Sequence, residues 1–158
     1  MIFRILFYCF IIFLSSFSAQ SEKYITGKAQ IVDGDTINVN YNIIRLHGID
    51  APEIKQTCKI NDKQWSCGVE SSKTLKKLIL KKIINCKIVD VDIYKRDVGI
   101  CFVNEININK FMVRNGWAIA YRYYSHDYIK EENLAKSEKK GIWQGEFVDP
   151  YIFRKLNK

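Results

Sequence analysis

An alternation of apolar and polar residues between residues 24 and 49 constrains the fold of this chain most strongly. Every second residue from Ile37 to Tyr41 is apolar, and from Ile44 to His47 the two kinds alternate again, with Arg45 on the polar face. A period of two is typical of strands that bury one face. The pattern therefore predicts a three-stranded antiparallel meander, which would form the first half of a barrel.

Two acidic segments flank the second and third predicted strands. Asp33-Gly34-Asp35-Thr36 precedes one strand, where glycine would let the backbone turn sharply, and Asp50-Ala51-Pro52-Glu53 follows the other, where proline prevents strand pairing. Each segment alone is typical of an ordinary turn. Together they place Asp35 and Asp50 at the two ends of a hairpin with Arg45 between them. Carboxylate oxygens suit Ca²⁺ and the planar guanidinium suits phosphate, so this stretch predicts a metal site beside a phosphate site.

The remainder of the chain alternates between polar and helical patterns. Residues 55–66 are predicted to be a polar loop without periodicity, in which Trp65 is an apolar plug. The predicted elements after this loop are a helix at 67–84 with Leu75, Ile79, Leu80 and Ile83 on its apolar face, strands at 86–91 and 98–103, a helix that ends before Gly116, and a helix at 127–140. The aromatic tail of Trp143, Phe147 and Tyr151 is expected to pack back onto the domain.

The first residues of the chain are typical of a secretory signal peptide, with Arg4, a short apolar run and then small residues. An uncleaved membrane anchor is the alternative, although the apolar run is short for one. We expect a signal peptide at 1–19, a single domain at 20–158, and a secreted or periplasmic protein that does not associate with membranes after cleavage.

The net charge of +8 indicates an affinity for polyanions, although excess lysine also simply keeps a protein soluble. Arg4 is the only charged residue of the predicted signal peptide, so the remainder carries about +7.

Four of the five cysteines lie outside the predicted signal peptide, and an even number in an exported chain favours disulfides. Three pairings are possible. Cys58 and Cys67 bracket one loop, while Cys86 and Cys101 are equidistant from a hairpin midpoint, so we expect these two pairs. A four-thiolate zinc site is disfavoured because C-x-x-C pairs are absent.

The succession of the motifs DGDT, RLHGIDAPE, IYKRDVGICF, VRNGWA and KKGIW resembles the staphylococcal nuclease family over residues 24–143. The resemblance implies an α+β, mainly β fold: a five-stranded OB-fold barrel with about three helices. It also implies a monomer that hydrolyses the phosphodiester bonds of DNA and RNA with Ca²⁺ and leaves 3′-phosphates. A rival interpretation is an OB-fold protein that binds nucleic acid without cleaving it; the acids and arginines of the motifs argue against it.

Matching the motifs assigns a role to each residue of the expected site. The metal ligands would be Asp35, Asp50 and the backbone carbonyl of Ala51; the catalytic residues would be Arg45, Glu53 and Arg96; and Tyr121 and Tyr124 would contact substrate. The chain departs from the family pattern at three places: Ala51 replaces a threonine, Lys95 replaces a glycine, and Asp97 adjoins Arg96, whose guanidinium it could draw away from substrate.

Overall fold

The computed structural model describes residues 22–157, so the predicted signal peptide at residues 1–19 lies outside the described part. The strands of this part are β1 (Lys23–Ile31), β2 (Thr36–Val39), β3 (Asn42–Leu46), β4 (Ile49–Asp50), β5 (Cys58–Ile60), β6 (Lys63–Trp65), β7 (Ile83–Val91), β8 (Asp97–Val103), β9 (Ile106–Asn107) and β10 (Ile119–Ala120). Its helices are α1 (Cys67–Ile79), α2 (Ile108–Arg114), α3 (Ile129–Ser137) and α4 (Pro150–Leu156), with a short 3₁₀ helix at Gly141–Gln144.

Five strands close into an OB-type barrel, as the family resemblance implied. β1 pairs antiparallel with β2 and β7, β2 pairs with β3, and β7 pairs with β8. The parallel pairing of β3 with β8 closes the sheet and sets Arg45 opposite Val98. The predicted meander is confirmed, because the apolar members of its alternation, such as Ile37, Ile44 and Leu46, fill the barrel core.

The turn between β2 and β3 corrects one detail of the alternation. Asn40 and Tyr41 have φ of 50° and 67°, the left-handed conformation of a tight two-residue hairpin turn. Tyr41 is therefore a turn residue that is 98% exposed, and it does not continue the apolar face of β2.

The predicted helix at 67–84 is too long, because α1 ends at Ile79 and β7 begins at Ile83. Leu75 and Ile79 are buried as expected, whereas Leu80 and Ile83 are each 54% exposed. The barrel explains the difference, since β1 pairs with six residues of β7 that begin at Ile83. Lys81, with φ of 60°, separates the helix from the strand.

The predicted irregular loop at residues 55–66 instead contains the hairpin β5–β6. The disulfide Cys58–Cys67 ties this hairpin to the start of α1. Trp65 packs against the apolar cluster that contains both cysteines, and its ring meets that of Trp117 edge-on at 6.2 Å, which confirms its expected role as a plug. The second predicted disulfide, Cys86–Cys101, is also present and joins residues directly opposite each other on β7 and β8.

The C-terminal third contains one helix more than expected. α3 spans a shorter range than the predicted 127–140, and α4 lies in the tail, where no helix was predicted. Asp149 caps α4 by accepting the backbone N–H of Tyr151 at 2.8 Å, and Pro150 occupies the first turn, where proline is favoured. Trp143 and Phe147 pack together as expected. Among residues 22–157, no helix is long and apolar enough to cross a membrane.

Candidate active site

The first acidic turn orients the carboxylate of Asp35. Asp33 accepts the backbone N–H of Asp35 at 3.0 Å, and the Thr36 hydroxyl donates to Asp35 Oδ1 at 3.0 Å. The backbone N–H of Ala51 donates to Asp35 Oδ2 at 2.7 Å. This last bond joins the two acidic segments, so the predicted hairpin-end arrangement does bring them together.

The backbone bends at Gly34 as expected, and the structure shows that the glycine is also needed there for space. Its φ is not in the left-handed region. A Cβ at this position would lie 2.2 Å from Ser71 Oγ and 2.7 Å from Ala51 Cβ. The absent side chain therefore lets the acidic turn approach α1 and the second acidic segment.

Arg45 bridges the two aspartates that the sequence predicts as metal ligands. Its Nη1 lies 2.7 Å from Asp35 Oδ1 and its Nη2 lies 2.9 Å from Asp50 Oδ1. The register of β2 and β3 sets Arg45 opposite Thr36, which explains why the guanidinium reaches the acidic turn. The Arg45 side chain is mostly buried and Asp50 is fully buried, so little water screens these charges.

Two acidic side chains of the site have raised pKa values. Burial raises the pKa of Asp50 to about 6, the charge of Asp35 adds to the effect, and Arg154 and Arg45 oppose it. Burial, together with the charge of Asp35, raises the pKa of Asp33 to about 7. Both shifts mean that burial disfavours the ionised carboxylates, and the charge of a bound cation would offset this effect.

The donor set fits a hard cation that completes its shell with water. Among residues 22–157, no three His, Cys, Asp or Glu side chains form a ready-made metal cluster. Asp35 and Asp50 nevertheless contact the same guanidinium, and Ala51 adjoins them with a backbone carbonyl. Two carboxylates, a carbonyl and water match the oxygen ligands that Ca²⁺ prefers.

The backbone around Glu53 is held by Gln56, a fully buried residue whose importance the sequence did not reveal. The Glu53 N–H donates to Gln56 Oε1 at 3.2 Å, and the Gln56 N–H donates to the Glu53 carbonyl at 2.7 Å. Gln56 Nε2 donates to the Val148 carbonyl at 2.6 Å, just before α4. A single amide thus ties the second acidic segment to the C-terminal helix.

Arg154, on α4, was not predicted to belong to the site. Its guanidinium donates to both oxygens of Asp50, at 2.9 and 3.0 Å, and to Glu53 Oε1 at 2.9 Å. The contact joins residues more than a hundred positions apart, which no local sequence pattern could reveal.

Arg96 lies on the loop between β7 and β8 and is held by Asp92. Its Nε donates to Asp92 Oδ2 at 2.6 Å, and the guanidinium lies 5.5 Å from the centre of the Tyr94 ring. Asp97, which could have drawn Arg96 away, instead pairs with Lys23 at 2.7 Å. Lys95 has φ of 62°, a conformation that favours the glycine it replaces.

One open cleft of about 670 Å³ brings most of the expected residues together. Asp35, Arg45, Glu53, Arg96, Tyr121 and Tyr124 all line it, whereas Asp50 is buried beneath it. Tyr94, Tyr151 and Arg154 also line it and were not predicted. The Tyr121 and Tyr124 rings contact each other edge-on at 5.1 Å. Tyr151 had been expected to pack against the domain, and it is instead 40% exposed in this cleft.

The cleft combines an acidic floor with arginines and tyrosines on its walls. Carboxylates can hold a cation, guanidinium groups can bind phosphate oxygens, and exposed rings can stack on bases. Such a combination is suited to a nucleic-acid strand whose phosphate lies over the acidic floor.

Comparisons with known proteins agree with this geometry. A family profile described as "Staphylococcal nuclease homologue" matches residues 43–145. An "Uncharacterized endonuclease" of Haemophilus influenzae is 32% identical over 156 residues, 94% of this chain and 83% of that protein. An "Uncharacterized endonuclease" of Escherichia coli O157:H7 is 34% identical over 133 residues, 79% of this chain and 81% of that protein. A "Micrococcal nuclease" of Shigella flexneri is 30% identical over 150 residues, 82% of this chain and 79% of that protein.

Proposed function

Because this chain belongs to the staphylococcal nuclease family, and is therefore a nuclease, we propose that it hydrolyses DNA and RNA with Ca²⁺ and leaves 3′-phosphates. The observation that carries this proposal is Arg45, which lies at the cleft between Asp35 and Asp50 and contacts both. A phosphate placed over this guanidinium would lie next to the carboxylates that bind the cation.

Asp35, Asp50 and the carbonyl of Ala51 would hold the cation. When bound, Ca²⁺ supplies positive charge to a phosphoryl oxygen and a site for water. The hydrogen bonds from Ala51 and Thr36 fix the orientation of the Asp35 carboxylate before the cation binds.

Glu53 acts on the attacking water, by accepting its proton or by orienting it. Glu53 lines the cleft and follows Asp50 by three residues, which supports this role. The clamp by Gln56 fixes its backbone, and catalysis of this kind depends on such fixed positions.

Arg45 and Arg96 neutralise the charge that grows on the phosphoryl oxygens in the transition state. Removing one well-placed donor of this kind from an active site costs roughly 3 to 4 kcal/mol of barrier lowering. Asp92 contacts Arg96 through Nε in the free protein, and the terminal nitrogens of Arg96 can bind phosphate without breaking that contact.

Tyr121 and Tyr124 would stack on the bases of the bound strand, and Tyr94 beside Arg96 would extend the same contact. Stacking tolerates any base, because every base has a π face. This fits a nuclease with little sequence preference, for which net positive charge supplies general attraction to the backbone.

We further propose that residues 1–19 are removed as a signal peptide and that residues 20–158 act as a secreted or periplasmic monomer. The two disulfides support an oxidising compartment, since such bonds rarely persist in the cytosol.

The test is cleavage of single-stranded DNA and RNA by residues 20–158 with Ca²⁺ or with EGTA. We expect cleavage only with Ca²⁺, weak activity with Mg²⁺, and fragments that a 3′-phosphatase converts to 3′-hydroxyl ends. Asp35→Asn should weaken Ca²⁺ binding, and Glu53→Gln should lower kcat about 10² or more while Ca²⁺ binding changes less.

Asp62→Asn, an acid in the exposed turn of the β5–β6 hairpin, is the matched control and should change neither quantity. Cleavage that persists in EGTA would contradict the Ca²⁺ assignment. Ca²⁺-dependent binding without cleavage would favour a binding-only OB-fold protein.

A further inference from the structure

The C-terminal helix α4 places a positive charge directly on the acidic floor of the cleft. Arg154 donates to Asp50 through both terminal nitrogens and to Glu53 through one of them, at 2.9 to 3.0 Å. The residue thus contacts one proposed metal ligand and the proposed catalytic carboxylate at the same time.

The position of Arg154 is supported by contacts at the N-terminal end of the helix that carries it. Asp149 and Pro150 define the start of α4, and Gln56 anchors the preceding Val148 carbonyl to the Glu53 loop. The Arg154 side chain is only 34% exposed. A side chain held in this way is part of the site and is not a passing surface contact.

Arg154 occupies lone pairs of the Asp50 carboxylate that a cation would need. Asp50 Oδ1 accepts one hydrogen bond from Arg45 and a second from Arg154, which fills both lone pairs of that oxygen. Asp50 Oδ2 accepts a third bond, again from Arg154. A divalent cation on Asp50 would also lie close to the Arg154 guanidinium, and the like charges would repel strongly in this buried setting.

We propose that Arg154 is a positioning residue of the metal site, which holds Asp50 and Glu53 in the metal-free protein and is displaced when the divalent cation binds. This inference rests on the proposed Ca²⁺ function. Because coupling between two contacts is reciprocal, Arg154 lowers the affinity for Ca²⁺, and Ca²⁺ loosens the attachment of α4.

The first test is calorimetric titration of Ca²⁺ into the protein without nucleic acid, so that the readout is independent of turnover. We expect Arg154→Gln to bind Ca²⁺ about tenfold more tightly than the parent, which corresponds to about 1.4 kcal/mol. Arg154→Lys keeps the charge without the fork and should give an intermediate affinity.

Lys155→Gln is the matched control, because it removes the same charge from the next residue of α4. Lys155 contacts the Tyr151 ring at 4.5 Å and makes no hydrogen bond to the acidic floor. Its affinity for Ca²⁺ should stay within about twofold of the parent, since exposed charges act weakly at a distance.

The second test uses the unmodified protein and decides the question even if Arg154→Gln fails to fold. Amide hydrogen exchange at residues 151–156 of α4 should become faster when Ca²⁺ is added, whereas exchange in α2 should not. Slower exchange in α4 with Ca²⁺, or an unchanged affinity in a folded Arg154→Gln variant, would overturn the role of Arg154 while leaving the proposed nuclease function intact. If neither the parent nor the variant binds Ca²⁺, both the cofactor assignment and this inference are wrong.

Discussion

Replacing Arg45 by lysine separates charge from geometry at the centre of the site. Lysine keeps the positive charge between Asp35 and Asp50 but presents a single ammonium in place of the two nitrogens that contact them at 2.7 and 2.9 Å. We therefore expect Arg45→Lys to fold, and to lose both stability and catalysis by amounts that the two contacts allow us to estimate.

The loss of stability follows from the one contact that lysine cannot make. A hydrogen bond to a charged group contributes about 1.5 to 3 kcal/mol, and the buried position of Asp50 favours the upper part of that range. The loss in kcat should be about 10² to 10³, the scale measured when one donor to a developing oxyanion is removed. The loss of stability and the loss in kcat are measured separately, the first on the free protein and the second at saturating substrate.

The assay combines urea unfolding in EGTA with kcat for single-stranded DNA in Ca²⁺. Arg114→Lys is the matched control, because Arg114 makes the same two-nitrogen contact with Glu138, at 2.9 and 2.6 Å, on the surface away from the cleft. The control should lose less than about 1 kcal/mol and no activity. A folded Arg45→Lys protein whose kcat stays within about threefold of the parent would refute the reasoning, as would an equal loss in the control.

Three further outcomes follow from the structure. Replacing Cys86 and Cys101 together by alanine should lower the free energy of unfolding by about 3 kcal/mol, because the bond closes a 15-residue separation; urea unfolding measures this, and an unchanged midpoint would contradict it. Tyr124→Ala should weaken binding of single-stranded DNA by about 1 to 3 kcal/mol in a fluorescence titration, whereas alanine at the more exposed Tyr41 of the β2–β3 turn should have no effect. The raised pKa of Asp50 means that the folded protein binds the proton more tightly than the unfolded chain. In EGTA, the free energy of unfolding of the parent relative to Asp50→Asn should therefore fall as pH rises from about 4 to about 7. A rise with pH would show that the pKa shift has the opposite sign.

The sequence predicted those parts of the fold in which local pattern and tertiary structure agree. The period of two predicted β1 to β3, because one face of each strand faces the barrel core. The equal spacing of Cys86 and Cys101 about a turn predicted their pairing, because antiparallel strands set such residues opposite each other. The end of α1 was predicted wrongly, since the apolar residues near Leu80 and Ile83 fit either period and only pairing with β1 decides between them.

The site was predictable where its residues belong to short segments and unpredictable where they meet from distant ones. Asp35, Arg45 and Glu53 come from two loops and the hairpin between them, so their proximity followed from the meander. Gln56 and Arg154 reach the site through contacts spanning roughly ninety to a hundred residues, and neither stands in a pattern that suggests a function. Packing of the C-terminal segment against the barrel places them, and packing is not visible in local periodicity.

The parallel pairing of β3 with β8 determines which kinds of genetic change the active site can tolerate. It aligns Arg45 with Val98, two residues beyond Arg96, so the backbone ladder sets how far apart the two arginines lie. A slip of one residue would turn Arg45 toward the barrel interior and an apolar side chain toward the cleft, because successive side chains of a strand point to opposite faces. Insertions at the β5–β6 turn leave this alignment untouched, whereas a single-residue insertion or deletion inside β3 or β8 disrupts it. Related proteins should therefore differ in loop length far more often than in strand length.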